Sequence, residues 1–185
     1  MQVESLIVGP VQTNCYIVSC PQTRSGVIID PGADAEHIFE IINANDLQIL
    51  YILLTHAHFD HIGAVSSVKS RFDVPVCLHP DEKPVLDTID QQTAMFGLPS
   101  VPSFSVDQWV NGGDELECGH LKIRALETPG HTPGGVSYHM DSGVFVGDAL
   151  FYHGIGRTDL PGGDFSRLID GINRELFTLP DDTEV

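Results

Sequence analysis

The sequence predicts an α/β fold, and three observations carry that prediction. Short strand-like runs fill the first thirty residues, separated by tight turns. From residue 34 onward, helical and extended patterns alternate. The second half returns to hairpins and then closes on an amphipathic helix. A length of 185 residues and an apolar content of 42% suit one domain, 1–185, with a sizeable core.

Each element follows from local chemistry. Residues 3–8, 14–19 and 26–30 read as three short strands, broken by Gly9-Pro10, by turn residues 21–25 and by Pro31-Gly32. Tight turns between short strands predict a meander. Asp34 is the expected cap of a helix over 34–45, whose apolar face is Ile38, Phe39, Ile41 and Ile42. The apolar run 48–54 has the length and β-branched content of a buried strand. Apolar residues at helical spacing then predict a helix over 61–72, and 74–78 a further short strand. Prolines and glycines divide residues 80–102, where short helices are expected over 81–89 and 91–96. Met95, Phe96 and Leu98 read as a loop packing its own apolar residues rather than as a substrate mouth. Residues 109–116 contain a turn between strands, 121–127 alternate as a strand, and 135–140 pairs with 143–147 across Asp141-Ser142. A last helix is expected over 164–177, capped by Asp164, with Leu168, Ile169, Ile172, Leu176 and Phe177 facing inward.

One stretch carries the chemistry: Thr55-His56-Ala57-His58-Phe59-Asp60-His61, on the turn between the 48–54 strand and the helix that follows. In an extended segment, side chains at i and i+2 share a face, so His56 and His58 can enter one cavity. Asp60 and His61 reach a second point beside it. Imidazole and carboxylate at this density suit zinc, iron or manganese. A His-rich surface loop is the competing reading, but metal-free packing would leave these polar groups in need of partners. Two other strand ends carry candidate donors: His131 in Thr128-Pro129-Gly130-His131-Thr132-Pro133-Gly134, and Asp148 in Val146-Gly147-Asp148-Ala149. Each alone is a weak signal. Beside the first cluster they gain weight, because loops at strand ends can deliver donors from several segments to one ion.

Composition removes some classes of function. A formal net charge of −17 disfavours nucleic acid and anionic membranes as partners. An anionic substrate then needs a locally positive site, which bound dications would supply. There is no long apolar run and no signal-peptide pattern at the start. Four cysteines without a CxxC pair fit reduced thiols and a cytoplasmic location. His37, His79, His120 and His139 lie outside every motif and read as non-ligands.

These motifs, in this order and spanning nearly the whole chain, resemble the metallo-β-lactamase-fold hydrolases. Asp30-Pro31-Gly32 matches that family's early aspartate motif. Gly154-Ile155-Gly156-Arg157-Thr158-Asp159 followed by Pro161-Gly162-Gly163-Asp164 resembles the compact glyoxalase II-like group, which hydrolyses hydroxyacyl thioesters of glutathione. The resemblance implies a four-layer αβ/βα sandwich with two divalent metals, zinc first and iron or manganese as alternatives. His56, His58 and His131 would hold one metal, Asp60 and His61 the other, and Asp148 would bridge. A metal-activated hydroxide would attack a small-molecule thioester, with Asp60 orienting it. Asp30 would support a ligand histidine from behind. Tyr152, Arg157 and Asp159 are candidate substrate contacts, with an internal Arg157–Asp159 pair the favoured reading. Two departures stand out: no histidine follows His153 to serve as the family's last ligand, because the sequence stops where the last strand is expected to begin, so a domain truncated at its C-terminus, without that strand and with an incomplete second metal site, is expected; and the glutathione-gripping helical domain of the longer enzymes is absent. The competing activities on this fold are a mononuclear-iron persulfide dioxygenase using His56, His131 and Asp148, and a lactonase or β-lactamase-type hydrolase.

Overall fold

A computed structural model describes residues 1–185. Its first sheet has six strands in the order β1 (Gln2–Val8), β2 (Thr13–Ser19), β3 (Ser25–Ile29), β4 (Gln48–Leu53), β5 (Val76–Leu78) and β6 (Gln108–Trp109). The first three are the expected antiparallel meander, and β3 to β6 run parallel. A second, fully antiparallel sheet is ordered β10 (Gly143–Phe145), β9 (Val136–Met140), β8 (Leu121–Glu127) and β7 (Glu115–Cys118). A small hairpin, β11 (Leu150–Phe151) with β12 (Gly154–Ile155), stands apart.

Strand alternation builds the layers. On β3, Ile28 joins the core beneath the helices α1 (Ala35–Ala44) and α3 (Val65–Phe72), while Val27 and Ile29 join the core between the sheets. On β4, Ile52 faces the helices and Leu53 the opposite sheet. A third, smaller core places Leu126 and Val144 against Leu168, Ile172 and Leu176 of the last helical segment. The order is helices, sheet, sheet, helix, as the αβ/βα reading implies. At about 1.5–3 kcal/mol per fully buried aliphatic side chain, the six-residue outer core holds its layer far less firmly than the nineteen residues under α1 and α3. No helix is long and apolar enough to cross a membrane.

Several local expectations are corrected. The helix over 61–72 is split into α2 (Phe59–Ile62) and α3. The Ala64 amide donates to the Pro31 carbonyl instead of extending α2. A Cβ at Gly63 would lie 2.2 Å from the Gly32 carbonyl oxygen, and one at Gly32 would lie 1.6 Å from that of Asp60. Two glycines in contact thus seat the metal loop on the turn after β3, and that contact interrupts the helix. Asp34 does not cap α1 with its side chain. It sits in the left-handed region (φ 54°), and its carboxylate accepts from the Gly9 amide at 2.8 Å. Between 80 and 102 a 3₁₀ turn, Pro80–Glu82, precedes α4 (Lys83–Leu86) and α5 (Ile89–Met95). Met95 and Phe96 are exposed rather than packed within their loop, and Leu98 lines a cavity of about 320 Å³ beside Phe59 and Asp60. The last helix, α6 (Phe165–Gly171), does carry an Asp164 cap that accepts from the Arg167 amide. It then widens into a π-turn over Ile172–Leu176. The extra residue per turn rotates Phe177 outward, so it is exposed instead of inward-facing. Near residue 184 the chain lies along β10, where Glu184 exchanges hydrogen bonds with Val144 and Ser142.

Candidate metal centre

The cluster sits at the mouth between the two sheets. The loop after β4 delivers His56 and His58, and α2 delivers Asp60 and His61. The turn between β8 and β9 delivers His131, and the segment after β10 delivers Asp148. Tyr138 fastens the two sides, its hydroxyl donating to the Leu54 carbonyl from a fully buried position. All six donors inferred from the sequence therefore converge.

They form two joined groups. His58 Nδ1 lies 3.1 Å from His56 Nε2 and 3.0 Å from His131 Nε2. His61 Nε2 lies 3.4 Å from Asp148 Oδ1 and 3.5 Å from Asp60 Oδ2. Asp148 turns its other oxygen, Oδ2, to His131 Nε2 at 3.4 Å. One carboxylate thus presents an oxygen to each group.

Outer contacts decide which ring nitrogens are free. Asp30 is 2% exposed and accepts from the Thr55 amide (2.8 Å), the Thr55 hydroxyl (2.6 Å) and His61 Nδ1 (2.9 Å). Because the Thr55 hydroxyl gives its only proton to Asp30, it accepts from His56 Nδ1 at 3.0 Å. His131 Nδ1 donates to the Arg157 carbonyl at 2.7 Å. Nε2 of His56 and His131 is therefore left with a lone pair aimed at the shared space, and Nε2 of His61 offers one there once its proton is displaced, the arrangement outer partners create around a metal. Asp30 achieves its reach from a left-handed backbone (φ 51°), so it both makes the turn before Pro31-Gly32 and supports a ligand.

Electrostatics favour positive charge on the carboxylate side of the cluster. Burial, followed by the neighbouring His61, His58 and His131, holds His56 well below the usual imidazole range. Burial, then His131 and His61, pushes His58 down to about 4. Burial works against protonating His61 too, but Asp30, Asp148 and Asp60 overcome it and hold that ring well above its ordinary value. Burial would raise Asp148, yet His61 and then His131 and His58 hold it low. The residues fit a divalent cation on an observation of their own: His61 Nε2 is buried with no hydrogen-bond partner. The converging lone pairs of His56, His58 and His131 likewise repel one another unless a cation or proton is shared.

The family is settled by comparison. The model of the "Metallo-beta-lactamase superfamily" matches residues 8–185. The chain belongs to the metallo-beta-lactamase superfamily. It is 43% identical over 182 residues to the "Probable metallo-hydrolase YqgX" of Bacillus subtilis, covering 96% of this chain and 85% of that one. It is 37% identical over 186 residues to the "Hydroxyacylglutathione hydrolase GloC" of Haemophilus influenzae, covering 98% and 87%. Among solved structures, the BLEG-1 B3 metallo-beta-lactamase has a TM-score of 0.91 at 38% identity, covering 98% of this chain and 88% of that one. TTHA1623 in a di-iron-bound form has a TM-score of 0.85 at 38% identity, covering 96% and 87%. Membership and donor set together make this chain a metallo-hydrolase of that superfamily.

The remaining sequence-inferred residues divide. Tyr152 is 93% exposed, meets the His153 ring at a tilt of 56°, and lines a cleft of about 500 Å³ that also reaches His61 and Asp148. The Arg157 side chain is turned away in a bidentate pair with Asp159, both contacts 2.8 Å, as the favoured reading had it. What Arg157 contributes to the centre is its backbone carbonyl. Two further residues escaped the sequence. Thr13 donates to Asp60 Oδ2 at 2.7 Å. Glu82 is wholly buried, and its carboxylate accepts from the amides of Ala57 and Gly134, both at 2.8 Å. A buried glutamate beside a turn-forming histidine and proline gives no periodic signal. The one available hint was an acidic residue close behind a buried strand.

Proposed function

We propose that this chain hydrolyses thioesters, with hydroxyacyl thioesters of glutathione as the leading substrate class. The observation that carries the hydrolytic reading is Asp148, which faces both donor groups at once. The substrate class is supported by the likeness to a protein named hydroxyacylglutathione hydrolase. Zinc is the first choice of metal, and iron is the alternative favoured by the di-iron relative. His56, His58 and His131 would hold one ion, His61 and Asp60 the other, and Asp148 both.

When bound, divalent ions of this kind polarise a carbonyl and lower the pKa of water toward ~7. The chain's own part is to place groups around the reacting carbon. Thr13 fixes Asp60 Oδ2 and leaves Oδ1 to orient the attacking water and take its proton. Asp30 and the Arg157 carbonyl keep His61 and His131 in the tautomers that point Nε2 inward. Water gives a proton to Asp60 as its oxygen adds to the thioester carbon; the C–O bond forms, the C–S bond breaks, the sulfur leaves as the thiolate, and the proton on Asp60 passes to it. A thiol of pKa about 8.5 leaves as the thiolate without a strong general acid, so no further proton donor is required of the site. Tyr152, on the cleft that reaches His61 and Asp148, would cover the acyl group.

A second reading is a β-lactam hydrolase, favoured by the likeness to BLEG-1. The third, a persulfide dioxygenase, would use His56, His131 and Asp148 on one iron. One experiment separates them: the zinc- and iron-loaded chain is assayed with S-lactoylglutathione, a β-lactam, and glutathione persulfide with oxygen uptake. Thioester turnover above the other two is the expected result. Turnover of either alternative with the thioester untouched removes the proposal.

A further inference from the structure

We propose that Glu82 is a positioning residue that sets the spacing between the two loops carrying His58 and His131. The inference rests on the metal reading of those histidines and is independent of the substrate. Ala57 lies between His56 and His58, on a loop leaving the first sheet. Gly134 lies three residues after His131, on a loop of the second sheet. The Glu82 carboxylate spans the gap, Oε2 accepting from the Ala57 amide and Oε1 from the Gly134 amide, both at 2.8 Å. His58 Nδ1 and His131 Nε2, 3.0 Å apart, belong to the same two loops. One rigid group thus holds the backbones whose separation fixes the distance between two candidate donors.

The clamp is itself well anchored. Glu82 has no exposed surface. It ends the 3₁₀ turn that follows β5, in which Pro80 takes the first position and His79 Nδ1 accepts from the Asp81 amide at 3.2 Å. Gly134 rests directly on that turn: a Cβ there would stand 2.6 Å from His79 Nδ1 and 2.9 Å from the Glu82 nitrogen. The loop of the second sheet is therefore seated on the turn that presents the carboxylate. Each carboxylate oxygen already receives an amide proton. Glu82 belongs to neither group of converging donor atoms, which makes its effect on the centre indirect.

The bland account makes Glu82 a plug that satisfies two amides and supports only overall stability. Metal affinity separates the two. In Glu82→Gln one oxygen becomes an NH₂ that confronts an amide N–H, so one arm of the clamp is lost while size is kept. Zinc affinity is measured by competition with a chromophoric chelator, and the visible spectrum of the cobalt-substituted protein is recorded, both well below the melting temperature. A control, Ile38→Ala on the buried face of α1, destabilises the core away from the clamp. The expected result is a 10- to 100-fold loss of zinc affinity and an altered cobalt spectrum in E82Q, with the control within about threefold of wild type. Affinity within that margin and an unchanged spectrum in E82Q would overturn the proposal, as would an equal loss in the control. Should E82Q fail to fold, hydrogen exchange on the metal-free wild type decides. Slow exchange at both Ala57 and Gly134 is expected, and exchange at either as fast as in exposed loops overturns the clamp. A wild type that binds no zinc removes the metal reading and this inference with it. One that binds zinc but leaves thioesters untouched removes only the substrate assignment.

Discussion

The two halves of the metal centre share Asp148 but are built on different principles. Around His56, His58 and His131 the donors are all imidazoles, and the outer partners of His56 and His131 are a hydroxyl and a backbone carbonyl. Around His61, Asp60 and Asp148 two of three donors are carboxylates, 20% and 31% exposed; Asp60 opens onto the cavity beside Leu98 and Asp148 onto the cleft beside Tyr152. The first half is shaped by packing and works through lone-pair geometry. The second depends on negative charge at a solvent-facing edge. The difference teaches that the first position should hold its ion more firmly and release it more slowly.

The largest effect that could break this contrast comes from removing a donor of the packed half. His131→Ala should lower activity by more than about a thousandfold, since loss of an outer partner alone already costs 10–100-fold. Steady-state assays with saturating zinc check this. Loss of activity no greater than that of an outer-partner variant would show that the two halves are not distinct. Next, Asp30→Asn breaks the buried contact to His61 Nδ1 and places a donor against Thr55. It should cost about 3–5 kcal/mol of stability, read by urea unfolding of the metal-free protein. Third, titrating the two-metal protein with a chelator should release the ions in two steps, the first from the His61–Asp60–Asp148 half. A single concerted step would erase the comparison. Thr13→Val should reduce activity only severalfold, at about 1 kcal/mol for one lost hydrogen bond, because Asp60 keeps its place beside His61.

The smallest effect belongs to the Arg157–Asp159 pair. Its hydrogen bonds from Arg157 hold the Asp159 carboxyl down to about 2. A depressed folded value contributes stability above the unfolded pKa near 3.8 and loses it as pH falls toward 2. Both side chains are exposed, so solvent screening leaves that contribution slight. Asp159→Asn should leave activity and melting temperature at pH 7 unchanged, while NMR titration of the wild type finds the low carboxyl.

How legible the molecule was in its sequence depends on what kind of atom carries each role. The six convergent donors were readable because imidazoles and carboxylates at strand ends are unusual in themselves. The meander and the paired hairpin were readable because period-two burial and turn residues leave local marks. The contribution of Arg157 was not, because a backbone carbonyl looks the same under any side chain. Glu82 was hidden for the opposite reason: an acidic residue in a turn is ordinary until tertiary packing buries it. The break between α2 and α3 hangs on Gly32 meeting Gly63, a contact across thirty residues that no helical period records. Phe177 was misplaced because the π-turn shifts phase within one apolar face, and an apolar pattern alone cannot announce the extra residue.

Anomalous diffraction from zinc-soaked crystals tests the central claim most directly. One peak is expected about 2.0–2.1 Å from the Nε2 atoms of His56 and His131 and Nδ1 of His58, and a weaker one beside His61 Nε2, Asp60 and Asp148. Density that binds elsewhere on the acidic surface, with these nitrogens left unligated at saturating zinc, would contradict it.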